Sequence, residues 1–167
     1  ASLLAGTAVM FVGIWVTPAS GLLIGADEQD VTMERGGGWR FNSTEQCLMR
    51  KINRSRRRHG LAGLNWDRQV GYVARRHARS MAANGYVFHD GNLGSQITRW
   101  RSLGQNSGAG FSCRNLHRAF WRSSGHRYNI LGGWRHVGVG VERRNGRIYV
   151  QEVFESRYDP GNVYRYP

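Results

Sequence analysis

Lysine is nearly absent from this chain: of 24 basic residues, Lys51 alone is not arginine. Cysteine occurs twice and proline three times, and residues 1–26 carry no charge. With only Cys47 and Cys113, there is neither a CxxC pair nor a Cys/His cluster, which excludes the common zinc and dithiol redox motifs. HExxH, GxSxG and a phosphate loop ending in Gly-Lys-Ser/Thr are also missing, as are any internal repeat and any RNA- or DNA-binding motif. Nucleic acid is therefore not an expected partner.

What is present suffices for one domain. The chain has 167 residues, 40% of them apolar, with six Trp, seven Tyr and six Phe. Net charge is +13 and unevenly placed: four acids and Arg35 give residues 27–35 a charge of −3, leaving +16 elsewhere. Guanidinium grips phosphate or carboxylate in a planar, bidentate way, so acidic partners are expected. The alternative is a solvated basic face reflecting an Arg-for-Lys bias.

The uncharged N-terminal stretch points to a membrane. Residues 3–16 are as apolar as a signal-peptide core and are followed by the small-residue break Pro18, Ala19, Ser20 and Gly21. The uncharged run continues through Leu22, Leu23 and Ile24, long enough to span a bilayer. Residues 1–26 are thus expected to be a signal peptide or, preferred here, a retained anchor that leaves the domain on the extracytoplasmic side, periplasmic or extracellular. In such an oxidising compartment, Cys47 and Cys113 are expected to form a disulfide, two buried thiols being the alternative.

Residues 27–40, acidic and then Gly-rich, read as a linker, and residues 157–167, with two of the three prolines, as an irregular tail. Between them, residues 41–156 form the domain. A first helix is expected from a Ser43 or Thr44 cap to about His59, ended by Gly60. A second follows Trp66, Val70, Val73, Ala74, His77, Ala78, Met81 and Ala82 at three- and four-residue spacing and ends at Gly85; His77 on its apolar stripe reads as a core histidine. Ser112 can cap a third, and a short helix is expected over Tyr128 and Leu131. The Gly-rich residues 104–110 read as a loop beside a cleft. Val137, Val139 and Val141, the Asn145-Gly146 turn, and Ile148, Val150, Glu152 and Phe154 then describe a β-hairpin. Glu152, on the apolar parity of its strand, is expected to be buried against an arginine. Helices followed by a hairpin indicate an α+β protein.

Several short motifs occur in an order that resembles the bacterial branch of the CAP superfamily, the cysteine-rich secretory, antigen and pathogenesis-related proteins. They include Asn53 with Arg56, Leu64-Asn65-Trp66-Asp67, His77-Ala78, His89, Gly104-Gln105-Asn106, Ser123-Ser124-Gly125-His126-Arg127-Tyr128-Asn129 and Val137-Gly138-Val139-Gly140-Val141. The resemblance implies a three-layer α-β-α sandwich with a cleft carrying two histidines and two glutamates. The matching histidines are His89 and His126, whereas Gln105 and Ser123 stand at the glutamate positions.

Two imidazoles can hold one divalent metal such as zinc, but a secure site wants a third ligand. Gln105 keeps the size of glutamate without its basicity, and Asp90 is an alternative ligand. Ser107, Ser123 and Ser124 lack an acid at triad spacing. The expected function is a membrane-tethered, non-catalytic binding or accessory subunit at the cell envelope, its partner an acidic polymer, a lipid or other membrane-protein subunits. The alternative is a metal-dependent hydrolase using His89 and His126.

Overall fold

The structure is a computed structural model that describes residues 10–11 and 40–157. The expected anchor, apart from Met10 and Phe11, nearly all of the linker, and the tail beyond 157 lie outside the described residues. Met10 and Phe11 are extended, forming a two-residue strand β1 (Met10–Phe11). Among the described residues, no helix is long and apolar enough to cross a membrane.

Helix α1 (Ser43–Arg58) starts one residue earlier than the expected caps: Asn42 accepts from the Glu45 amide while Glu45 accepts from that of Asn42. This reciprocal box satisfies two amides that the first turn cannot. Strand β2 (Asn65–Trp66) leads into α2 (Arg68–Asn84), capped by Asp67 and stopped at Gly85 in the left-handed conformation (φ 78°), so Trp66, read as the first residue of the helical stripe, lies before the cap in a strand. A short helix α3 (Leu93–Gln96) precedes strand β3 (Trp100–Gly110). Helix α4 (Cys113–Arg122) is capped by Ser112 as expected, and α5 (Ser124–Leu131) contains the short helix expected over Tyr128 and Leu131 but starts earlier, at Ser124. Strands β4 (His136–Arg144) and β5 (Arg147–Arg157) form the hairpin across Asn145-Gly146.

The sheet order is β1-β3-β5-β4-β2, antiparallel except for the parallel β2–β4 pair. Residues 104–110 are therefore not a loop but part of β3, whose residues 102–110 pair continuously with β5. Glycine there serves packing: a Cβ on Gly108 would stand 2.9 Å from the Phe120 ring, so its absence lets α4 lie directly on the sheet.

Two apolar layers sandwich the sheet. On one face, Leu48 and Ile52 of α1, Leu116 and Phe120 of α4 and Ile130 of α5 pack on Val137, Val139, Ile148, Val150 and Phe154. On the other, Val70, Val73 and Ala74 of α2 join Leu93, Ile97, Leu103 and Val153. Helix α2 comes so close that a Cβ on Gly140 would fall 2.1 Å from the Ala74 carbonyl carbon. Helices on both faces of a mixed sheet make the α-β-α arrangement. Cys47 and Cys113 form the disulfide that ties α1 to α4.

Candidate functional site

Strand β3 organises the polar centre, because alternate side chains leave it on opposite faces. On the α2 side, His89 lies beside Ser107, with Nδ1 3.2 Å from Oγ. The Ser107 hydroxyl donates to Gln151 Oε1 (2.5 Å), so His89 Nδ1 is the donor in the first contact. Gln151 Nε2 in turn donates to Gln105 Oε1 (2.7 Å), which also accepts from the Asp90 amide (3.0 Å), while Gln105 Nε2 donates to the Asp90 carbonyl (3.1 Å). A single directed chain thus runs His89, Ser107, Gln151, Gln105, Asp90. It fixes the neutral His89 ring with its proton on Nδ1 and Nε2 as the basic nitrogen.

The opposite face holds His126. Its Nδ1 meets Ser123 Oγ at 2.7 Å, its ring lies 5.0 Å from that of Phe120, and it is fully buried. Its carbonyl accepts from Asn106 Nδ2 (3.3 Å), which also donates to Glu152 Oε2 (3.0 Å); Asn129 Nδ2 reaches Asn106 Oδ1 (2.9 Å), and Trp134 Nε1 donates to the Asn129 carbonyl (2.6 Å). The four expected cleft residues therefore gather at one stretch of β3, but in two pairs: His89 with Gln105 through Ser107 and Gln151, and His126 with Ser123. Strand β1 pairs with Ser107 and Gly108, covering the outer edge of β3 at this point.

Glu152 is buried as expected, but its partner is Asn106 rather than an arginine. Burial pushes its carboxyl up to about 8, against the opposing pull of the Asn106 amide, so it is protonated at neutral pH. His77 is the expected core histidine: Nε2 donates to the Phe88 carbonyl (2.8 Å) and Nδ1 stands 3.8 Å from Asp90 Oδ2. Asp90, considered as a ligand, accepts from the Asn92 amide and the Gln96 amide group. The cavity beside the site, about 330 Å³, is lined by Arg76, Phe88, His89, Asp90 and Gln96, but not by Gln105, Ser123 or His126.

The donor set does not fit the expected zinc centre. Among the described residues, no group of three or more His, Cys, Asp or Glu side chains is placed to hold a metal ion. The position that would supply a third ligand is Gln105, whose amide is engaged at both ends.

Gln151 escaped sequence reasoning. It stands on the parity of β5 opposite to Val150 and Glu152, which reads as solvent-facing if only one sheet face is covered. Its signal is residue type: a neutral amide rather than a charge, between Tyr149 and Val153 on the same strand parity, fits a buried polar seam.

The profile of the cysteine-rich secretory protein family, CAP, matches residues 49–154. The chain belongs to this family. A curated relative is an uncharacterised membrane protein, YlbC, of Bacillus subtilis (strain 168), 29% identical over 126 residues. That match covers 70% of this chain and 35% of the relative, so this chain spans about a third of the relative's length. An extracellular protein containing an SCP domain from Bacillus anthracis str. Ames superposes with a TM-score of 0.62 at 28% identity, covering 68% of this chain and 40% of that one. An outer surface protein of Borrelia burgdorferi, at a TM-score of 0.64 and 14% identity, covers 69% of this chain and 93% of its own and shares the fold.

Proposed function

We propose that this CAP domain is a non-catalytic binding or accessory module held on the extracytoplasmic face of the cell envelope by its apolar N-terminal stretch; in the anchored state Met10 and Phe11 lie in the bilayer and leave the edge of β3 that they occupy as β1. The observation that carries the reading is the engagement of Gln105. Its carbonyl oxygen accepts twice and its amide donates to Asp90, so this side chain pegs the loop carrying His89 to the sheet. An uncharged peg is neither a general base nor a third metal ligand. The placement is supported by the apolar N-terminal stretch, by the disulfide, and by relatives described as a membrane protein and an extracellular protein. The domain's excess of arginine suits an acidic partner, and a tethered body suits docking onto other membrane-protein subunits.

Membrane fractionation of cells making the full chain tests the tether and the assembly. The protein is expected to stay with membranes through an alkaline carbonate wash and, after extraction in non-ionic detergent, to migrate in a particle larger than one 18.9 kDa chain with its micelle. Release by carbonate, or a lone monomer in the micelle, contradicts the proposal.

A further inference from the structure

The arginines unused by the fold are concentrated on one face. Helices α1 and α4 run side by side in the same direction, as three contacts in sequence order show: the Cys47–Cys113 disulfide, Ser55 Oγ to His117 Nε2 at 3.0 Å, and the His59 and Trp121 rings 5.1 Å apart. With the apolar stripe of α1 (Leu48, Ile52) and that of α4 (Leu116, Phe120) on the sheet, helical periodicity turns Arg50, Arg54 and Arg58 outward on one helix and Arg114, Arg118 and Arg122 outward on the other. All six are exposed, as is Arg57. Each row advances about 6 Å per arginine, and packed helices lie about 8–10 Å apart, so the rows form two parallel rails about 12 Å long.

Among the described residues, nothing on this face neutralises them. Five of the six carboxylates in residues 40–157 are buried, and the sixth, Glu142, stands 3.8 Å from Arg79. The acid of α1, Glu45, is buried against Arg75, and α4 and α5 carry none. Among the described residues, no carboxylate lies within ion-pair distance of these arginines. A structural role explains Arg56, which is buried and donates to three carbonyls, but does not explain its exposed neighbours.

We infer that the twin rails of α1 and α4 bind an extended envelope polymer with phosphates along its backbone, its successive phosphates bridged by guanidinium groups. This rests on the proposed envelope binding role and names its partner class. Guanidinium holds phosphate oxygens in a bidentate fork, and a row repeating along one axis suits a linear polyanion better than a single small anion. A bilayer surface fits less well: the outward positions of the two helices, Gln46, Arg50, Arg54 and Arg57 on α1 and Arg114, Asn115, Arg118 and Arg122 on α4, include no large apolar side chain to enter the lipid.

Linear inorganic polyphosphate is the probe, titrated against the full chain in non-ionic detergent and followed by fluorescence anisotropy. The fourfold variant Arg54→Gln, Arg58→Gln, Arg118→Gln, Arg122→Gln should weaken binding about 10- to 100-fold at low salt and make log K against log salt shallower by about 3. A control fourfold variant of equal charge, Arg68→Gln, Arg99→Gln, Arg101→Gln, Arg144→Gln, should lose less than about 3-fold. Both should keep the wild-type circular dichroism, and Arg→Lys at the four rail positions should restore most of the affinity. Equal losses in the two variants would overturn the inference in favour of bulk charge. So would no binding by the wild type, or competition per phosphate by phosphatidylglycerol in mixed micelles that matches polyphosphate. None of these results touches the tether, which fractionation reads separately.

Discussion

A buried acid that is neutral when folded makes stability fall as pH rises. Glu152 is pushed up to about 8, whereas in the unfolded chain it ionises in the usual carboxylate range. Between those values the unfolded state releases a proton that the folded state keeps, so this group's contribution is full at low pH and is lost progressively up to about pH 8. Glu152→Gln, which preserves the Asn106 contact, should gain stability over the wild type from pH 5 to pH 8, measured by urea unfolding at each pH. His117 acts in the opposite sense: burial, and then Lys51, hold it down to about 4. Its contribution is present above the usual histidine range and is lost as pH falls toward 4. Arg56 offers a third test. Arg56→Met keeps the apolar stem but strands the carbonyls of Ala62, Ile130 and Gly132, and should cost about 2–4 kcal/mol in the same unfolding assay. The burial of Glu152 was legible from its strand parity. Its partner was not, because an asparagine on β3, 46 residues away in the chain, carries no charge to announce the pairing.

At the scale of elements, helices α1, α2 and α4 were legible through apolar spacing and capping residues, and the β4–β5 hairpin through its alternation and Asn-Gly turn. Strand β3 was hidden by its composition. Residues 104–110 contain three glycines, which signal a loop when only local preference is weighed. Here they are required by contact with Phe120, Leu116 and Trp134 from the layer above. The same close packing makes Gly140→Ala a severe change: the new methyl would meet the α2 backbone 2.1 Å away, and the cost should be about 3 kcal/mol or more, read as a lowered Tm. The disulfide joins residues 66 apart, and Cys47→Ser with Cys113→Ser should lower stability by about 2–4 kcal/mol while leaving the helical content intact.

For the whole molecule, the CAP fold could be read from ordered motifs covering much of residues 53–141, and the family match over residues 49–154 agrees. The function could be read only in part. His89 with Gln105 and His126 with Ser123 stand on opposite faces of β3, the hydrogen-bond chain through Ser107 and Gln151 decides what Gln105 does, and Gln151 was invisible without the second covered face of the sheet. With an amide in place of a carboxylate, Gln105 pegs the loop carrying His89 to the sheet, which is the ground of the proposed non-catalytic role. The most direct measurement is calorimetric titration of Zn²⁺ into the full chain, beside turnover of an ester substrate by the wild type and His126→Ala. The account predicts no stoichiometric binding at micromolar zinc and equal background turnover in the two proteins. One equivalent bound tightly, together with turnover abolished by His126→Ala, would contradict it.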